Sequence, residues 1–184
     1  YIKIIDFGTA KQIEDCTSTI IGTPHYMAPE VILGGGYSFN VDYWSIAVCM
    51  YELFCGKLPF GEDCEEPLDV YRAVAKDDLT FPSFVDDQTF INLMMKLLKK
   101  NPLNRMTKIQ KIKEDPYFST FDWGKLISFE IEPPYKITFK KDTKQMPIIP
   151  YLALLKSMDK EDDKPTKKKP SSRQLEFDKW VKNF

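Results

Sequence analysis

The chain has 184 residues, of which 43% are hydrophobic and 29% charged, and its formal net charge is −1. That length is enough for one soluble domain with a buried core. The balanced charge supplies no field toward nucleic acid or a membrane surface, and no apolar stretch approaches the roughly 20 residues that span a bilayer.

Cys16, Cys49, Cys55 and Cys64 lack metal-ligand spacing, and no secretory signal precedes them. Reduced thiols in a cytoplasmic setting are therefore expected. The chain opens on Tyr1 rather than Met, which is the expectation for a piece of a longer polypeptide.

In chain order, Tyr1-Ile2-Lys3-Ile4-Ile5 alternates polar and β-branched residues and predicts a short strand delivering Asp6 to its end. Residues 6–30 hold Gly8, Gly22, Pro24 and Pro29 and no helical period. They predict a long loop, and loops of that length inside compact domains are usually functional. Residues 41–55 are apolar on every side of a helical wheel, which predicts a central buried helix. Asn40 is its expected N-cap and Gly56 its C-cap. A second helix is expected at about 67–76. Phe90, Met94, Leu97 and Leu98 fall on one helical stripe and predict a third helix, about 87–99, capped by Asp86 or Asp87. A short helix at about 107–114 stops before Pro116. The fold class is mainly α, built round one buried helix, over 1–132.

From Pro133 the character changes, with prolines at 133, 134, 147 and 150. Residues 133–184 read as an irregular tail. Its stretch 156–173 is rich in Lys, Asp, Glu, Pro and Ser and too poor in apolar residues to order itself. Phe177, Trp180 and Phe184 close the chain and read either as a tethered docking segment or as exposed aromatics at a frayed end. Lys167-Lys168-Lys169 reads either as a solvated linker or as a nuclear-import or acidic-lipid patch.

The string Asp6-Phe7-Gly8, Gly22-Thr23-Pro24, Ala28-Pro29-Glu30, then Val41-Asp42-Tyr43-Trp44-Ser45 and Asn101-Pro102 with Arg105 resembles the protein kinases over residues 1 to about 120. It spans their activation segment and the C-terminal half of their large lobe. The resemblance implies ATP- and Mg-dependent phosphoryl transfer to protein hydroxyls. Asp6 would then be the Mg²⁺ ligand, Phe7 the side chain whose packing holds or releases it, and Gly8 the residue that permits the turn. Thr19 matches the activating phosphosite, with Thr17 and Ser18 as neighbouring hydroxyls, and Lys11 matches a partner of that phosphate. Thr23 matches a threonine that bonds the catalytic loop and marks Ser/Thr kinases. Pro24 and Met27 match the pocket for the residue after the target. Glu52 matches a carboxylate that takes an arginine two before the target in basic-directed kinases; the alternative is a structural ion pair. Glu30 and Arg105 match a structural ion pair, and Asp42 a brace for the catalytic loop.

Gly22-Thr23-Pro24-x-Tyr26, Phe121-Asp122-Trp123 and the terminal Trp180-x-x-x-Phe184 look like the AGC group. Within it they are most similar to the cGMP-dependent kinases and next to the cAMP-dependent ones. That implies cyclic-nucleotide regulation, and a tail whose Trp180 and Phe184 dock on the small lobe. Departures are His25, where relatives carry Glu, Ile21 in place of a usual cysteine, and no clear acidic Phe-Asp-x-Tyr motif near 145–165. Thr9 after Asp-Phe-Gly implies threonine as the preferred acceptor. The chain holds no Gly-rich phosphate loop and no strand lysine. Its single histidine, His25, leaves none for a His-Arg-Asp loop, so these 184 residues alone are expected to be inactive. A docking module without catalysis is the alternative, and the metal-binding residue type at Asp6 favours the enzyme.

Overall fold

The computed structural model describes residues 1–134. Of the two units into which the chain divides, Tyr1–Glu130 and Ile131–Phe184, the first carries every element below. Trp180, Phe184 and the segment 156–173 lie outside the described residues.

Six α-helices follow in order: α1 (Pro29–Ile32), α2 (Asn40–Cys55), α3 (Pro67–Lys76), α4 (Gln88–Leu97), α5 (Ile109–Lys113) and α6 (Trp123–Ile127). Single 3-10 turns at Pro24–Tyr26, Pro102–Asn104 and Pro116–Phe118 join them. Proline opens each of these turns and also α1 and α3, since its fixed φ suits a first helical position and its missing N–H is not needed there.

α2 organises the unit. Trp44, Ala47, Val48, Tyr51 and Cys55 are buried along one face. α2 packs against α4 and the Pro24–Tyr26 turn, while α3 covers that turn and α1. α4 contributes Phe90, Leu93, Met94 and Leu97 from its stripe. Phe60 stacks on Trp44 at 5.6 Å between ring centroids. The Tyr51 hydroxyl donates to the Thr80 carbonyl at 2.6 Å, which tethers the loop after α3. Gly56 ends α2 in the left-handed region, φ 69°, donating its N–H to the Glu52 carbonyl at 2.8 Å. Asp87 caps α4 by accepting from the Thr89 and Phe90 N–H groups.

Four expectations are corrected. Residues 1–5 are not a strand: Ile2 is 99% exposed, Ile4 and Ile5 are also exposed, and the described residues hold only the isolated bridge Thr17↔Tyr37. A strand needs a ladder partner, and no strand ladder is formed by residues 1–5 among the described residues. The segment 6–30 is not all loop, because α1 forms at its end, where Pro29, Val31 and Ile32 are buried. Asn40 does not cap α2; Phe39 is the N-cap and makes no side-chain cap bond. The preceding Ser38 and Phe39 carbonyls already accept from Val41 and Asp42, so the helical path begins before Asn40 can serve. Finally, α2 is buried on one side only among the described residues, with Ile46, Cys49, Leu53 and Phe54 exposed.

The four cysteines are free thiols, Cys16 and Cys49 at the surface and Cys55 buried. No helix among the described residues is long and apolar enough to cross a membrane.

A candidate substrate platform on the segment 6–32

The segment begins at a strained point. Asp6 has φ 61°, a left-handed conformation uncommon for any residue with a Cβ. Its own carboxylate compensates, since Oδ1 accepts from the Gly8 N–H at 3.1 Å. A Cβ at position 8 would stand 3.1 Å from that same oxygen, so a larger residue there would require the exposed Asp6 carboxylate to shift. Asp6 is exposed, so its second carboxylate oxygen stays open to solvent. One exposed carboxylate with a free oxygen fits a share of a Mg²⁺ ion, which takes one or two carboxylates and completes its shell with phosphate and water. Among the described residues no three His, Cys, Asp or Glu converge on a metal position. Asp6 lines neither the cleft around Lys99 and Lys108 nor the one around Phe54 and Phe90. Phe7 is 68% exposed among the described residues.

The middle of the segment carries hydroxyls. Thr17 pairs with Tyr37 through two backbone bonds of 2.9 Å, and the Tyr37 hydroxyl donates to the Thr19 carbonyl. The Lys11 ammonium donates to Thr17 Oγ1 at 3.1 Å, and that oxygen lies 3.4 Å from Thr19 Oγ1. Lys11 therefore stands one hydroxyl away from Thr19, touching Thr17 directly. Ser18 joins neither bond.

The end of the segment is anchored. Gly22, at φ 119°, lets the chain turn into Thr23. The Thr23 carbonyl then accepts from Tyr26 and the Pro24 carbonyl from Met27. Met27 and Ala28 are buried, Pro24 half-buried and Thr23 exposed. Two bonds fasten this turn to α2. The Ser45 hydroxyl donates to the Tyr26 carbonyl at 2.8 Å, and the Tyr26 hydroxyl donates to Glu52 Oε2 at 2.7 Å. The Glu52 bond, then burial and the Glu52 charge, push the Tyr26 hydroxyl up to about 12. Glu52 thus finds its partner in a phenol, and among the described residues no ion pair engages it. His25 Nε2 meets the Gly61 carbonyl at 3.2 Å, which ties the turn to the loop after α2.

Beneath the turn, Arg105 and Glu30 meet in a two-pronged ion pair at 2.6 and 2.8 Å. The Arg105 side chain is fully buried. Its Nε–H and a second Nη2 hydrogen donate to the Lys99 and Lys100 carbonyls, and its guanidinium lies 5.0 Å from the Trp44 ring centroid. Four of the five N–H groups thus have acceptors, and the paired carboxylate lets the buried guanidinium stay charged. Asp42 lies exposed in the first turn of α2, and no hydrogen bond or ion pair among the described residues engages its carboxylate.

The structure brings together Thr23, Pro24, Met27, Glu52, Glu30 and Arg105, and it leaves Asp6, Phe7 and Asp42 apart from them. Sequence reasoning missed Tyr26, Ser45 and Trp44 as the groups that fix this arrangement. A carboxylate on an apolar helix signals a buried donor, but the separation of 26 positions between Tyr26 and Glu52 hides which donor it is.

The protein kinase domain family matches residues 1–118. The chain is 48% identical over 138 residues, 73% of its length, to a cGMP-dependent protein kinase of Plasmodium berghei (strain Anka), of which it covers 16%. It is 45% identical over 152 residues to a cGMP-dependent protein kinase of Toxoplasma gondii, covering 79% of this chain and 15% of that one. A cAMP-dependent protein kinase catalytic subunit of Arthrobotrys oligospora is 34% identical over 139 residues, 73% of this chain and 26% of that one. The chain thus spans about a sixth of the length of the first two.

Proposed function

The chain belongs to the protein kinase family, and from that premise we propose that it is the activation segment and C-terminal large lobe of an AGC-type serine/threonine kinase. The whole protein would transfer phosphate from ATP to serine or threonine of proteins with basic residues before the target, and a cyclic nucleotide would regulate it. The observation that carries the reading is the anchored turn 23–27, seated on α2 through Tyr26–Glu52 and Ser45 and on the core through Glu30–Arg105.

Phosphoryl transfer relies on positioning and charge rather than on covalent chemistry by the protein. In this reading Thr23, Pro24 and Met27 present the acceptor segment of the substrate. Glu52 is held by Tyr26 with one oxygen occupied and the other left to receive a substrate guanidinium. Thr19 receives the activating phosphate beside Thr17 and Lys11, which supplies a cation within reach. Asp6 holds Mg²⁺, and the metal with ATP supplies the transferred group and the charge neutralisation. The similarity to two cGMP-dependent kinases supports the proposed regulation.

The test is peptide phosphorylation by the full-length protein. A peptide with arginine two before the serine should be preferred over its alanine counterpart by about tenfold or more, the worth of one charge-assisted pair. Glu52→Gln should remove that preference mainly through KM. No transfer to any basic peptide would overturn the reading in favour of a docking module.

A further inference from the structure

A concave site is lined by Arg105 and by no residue of the turn 23–27. Residues 88–113 contain Lys96, Lys99, Lys100, Arg105, Lys108, Lys111 and Lys113 and not one Asp or Glu. In a chain with a net charge of −1, that is a sharp local segregation. The fold collects part of it in a cleft of about 500 Å³, where the end of α4, the Pro102–Asn104 turn, the start of α5 and Asn40 of α2 meet. That volume is in the range of small-ligand sites, roughly 300–1,000 Å³.

Not every cation there is available. Arg105 is consumed by Glu30. The Lys96 ammonium is held by Asp115 at 2.7 Å. Lys100 points elsewhere, its ammonium donating to the Val74 carbonyl at 2.6 Å. Lys99, Lys108 and Lys111 line the cleft, are exposed, and have no carboxylate partner among the described residues. Thr107, Asn104 and Asn40 line it beside them and can contribute neutral polar groups.

The chemistry of the free cations selects the ligand. The arginine fork, which matches carboxylate and phosphate alike, is occupied here by Glu30. Three compact ammonium groups act as separate point charges, which suits tetrahedral groups with several anionic oxygens. At about 0.15 M salt the screening length is about 8 Å, so charges around a cleft of this size reinforce one another. All three lysines line one concavity rather than a flat face.

We propose that the Lys99–Lys108–Lys111 cleft binds a small anion carrying two or more phosphate groups. The ligand is either free in solution or the headgroup of a membrane lipid. The cleft does not include the turn at 23–27, so the proposal stands apart from the kinase reading.

The test uses the full chain at about 150 mM salt, with myo-inositol 1,4,5-trisphosphate titrated by calorimetry. In a second arm, vesicles of phosphatidylcholine alone are compared with vesicles that also hold phosphatidylinositol 4,5-bisphosphate. Saturable binding should weaken at least about tenfold in Lys99→Ala/Lys108→Ala/Lys111→Ala, a loss of about 1.4 kcal/mol. It should change less than about threefold in the charge-matched control Lys3→Ala/Lys57→Ala/Lys125→Ala, whose lysines are exposed and lie outside the cleft. All six positions are at the surface, so both variants should retain the wild-type circular dichroism spectrum. Binding to the free trisphosphate identifies a soluble ligand, and binding confined to bisphosphate vesicles identifies a headgroup; either supports the site if the cleft variant loses it. No saturable binding in either arm, or equal losses in the two triple variants, would overturn it.

Discussion

The two ends of the segment 6–32 make opposite use of similar residues. At the first end, and in the residues that lead into it, Ile2, Ile4, Ile5 and Phe7 are all more than two-thirds exposed. At the second, Met27, Ala28, Val31 and Ile32 are all less than a tenth exposed. Apolar character does not separate them, since Ile2, Ile4, Ile5 and Phe7 are as apolar as Met27, Ala28, Val31 and Ile32. What separates them is partners in the folded chain. The second end meets α2, α3 and Arg105, all supplied by residues downstream, while the first meets none of them. An apolar sequence acquires a fixed position only where other elements remove it from water.

The difference can be broken most forcefully at the ion pair. Glu30→Ala would leave the Arg105 guanidinium buried without its counter-charge, a loss of about 3–5 kcal/mol. Urea unfolding of the chain should register it as a lower midpoint with an unchanged slope. Paired truncations sharpen the contrast between the ends. Ile32→Ala, at a fully buried side chain, should cost about 2–5 kcal/mol. Ile4→Ala, at a side chain 81% exposed, should change stability by less than about 0.5 kcal/mol. Equal effects at the two positions would contradict the contrast.

A pH profile reaches the same core by another route. The Lys100 ammonium sits 3.2 Å from the Phe60 ring centroid, and burial pulls it down to about 8. Between about 8 and its ordinary 10.5, the folded protein has shed this proton while the unfolded chain keeps it. Stability therefore rises with pH across that window. Above about 10 the sign reverses, because Tyr26 and Tyr51 are held protonated in the fold and ionise when unfolded. Lys100→Met should remove the rising limb and keep the falling one, as read by thermal melts at successive pH values. Tyr26→Phe is a small change, about 1 kcal/mol for one hydrogen bond, and it should act on substrate selection more than on stability.

Much of this was legible in the sequence where the signal is local. The bounds of α3, the Asp87 cap of α4 and the glycine that ends α2 follow from residues within a turn of each other. The strand at 1–5 was misread because alternation shows what could pair and not whether a partner exists. α1 was hidden because four residues carry no period; burial on α3 makes it helical. At the site, Glu30 with Arg105 was readable by resemblance, whereas Tyr26 was not assigned, because its role exists only once α2 lies beneath it. Phe7 and Asp42 are exposed among the described residues, so the roles that the resemblance implies for them are not seen in the fold.

The central claim is that Glu52, fixed by Tyr26 on α2, is a substrate-selecting carboxylate. The direct measurement is kcat/KM of the full-length protein for two peptides differing only in arginine or alanine two before the serine, with wild type compared against Glu52→Gln and Tyr26→Phe. The account predicts a preference for arginine of about tenfold or more in wild type, a smaller one in Tyr26→Phe, and none in Glu52→Gln. An arginine preference unchanged by Glu52→Gln would contradict it.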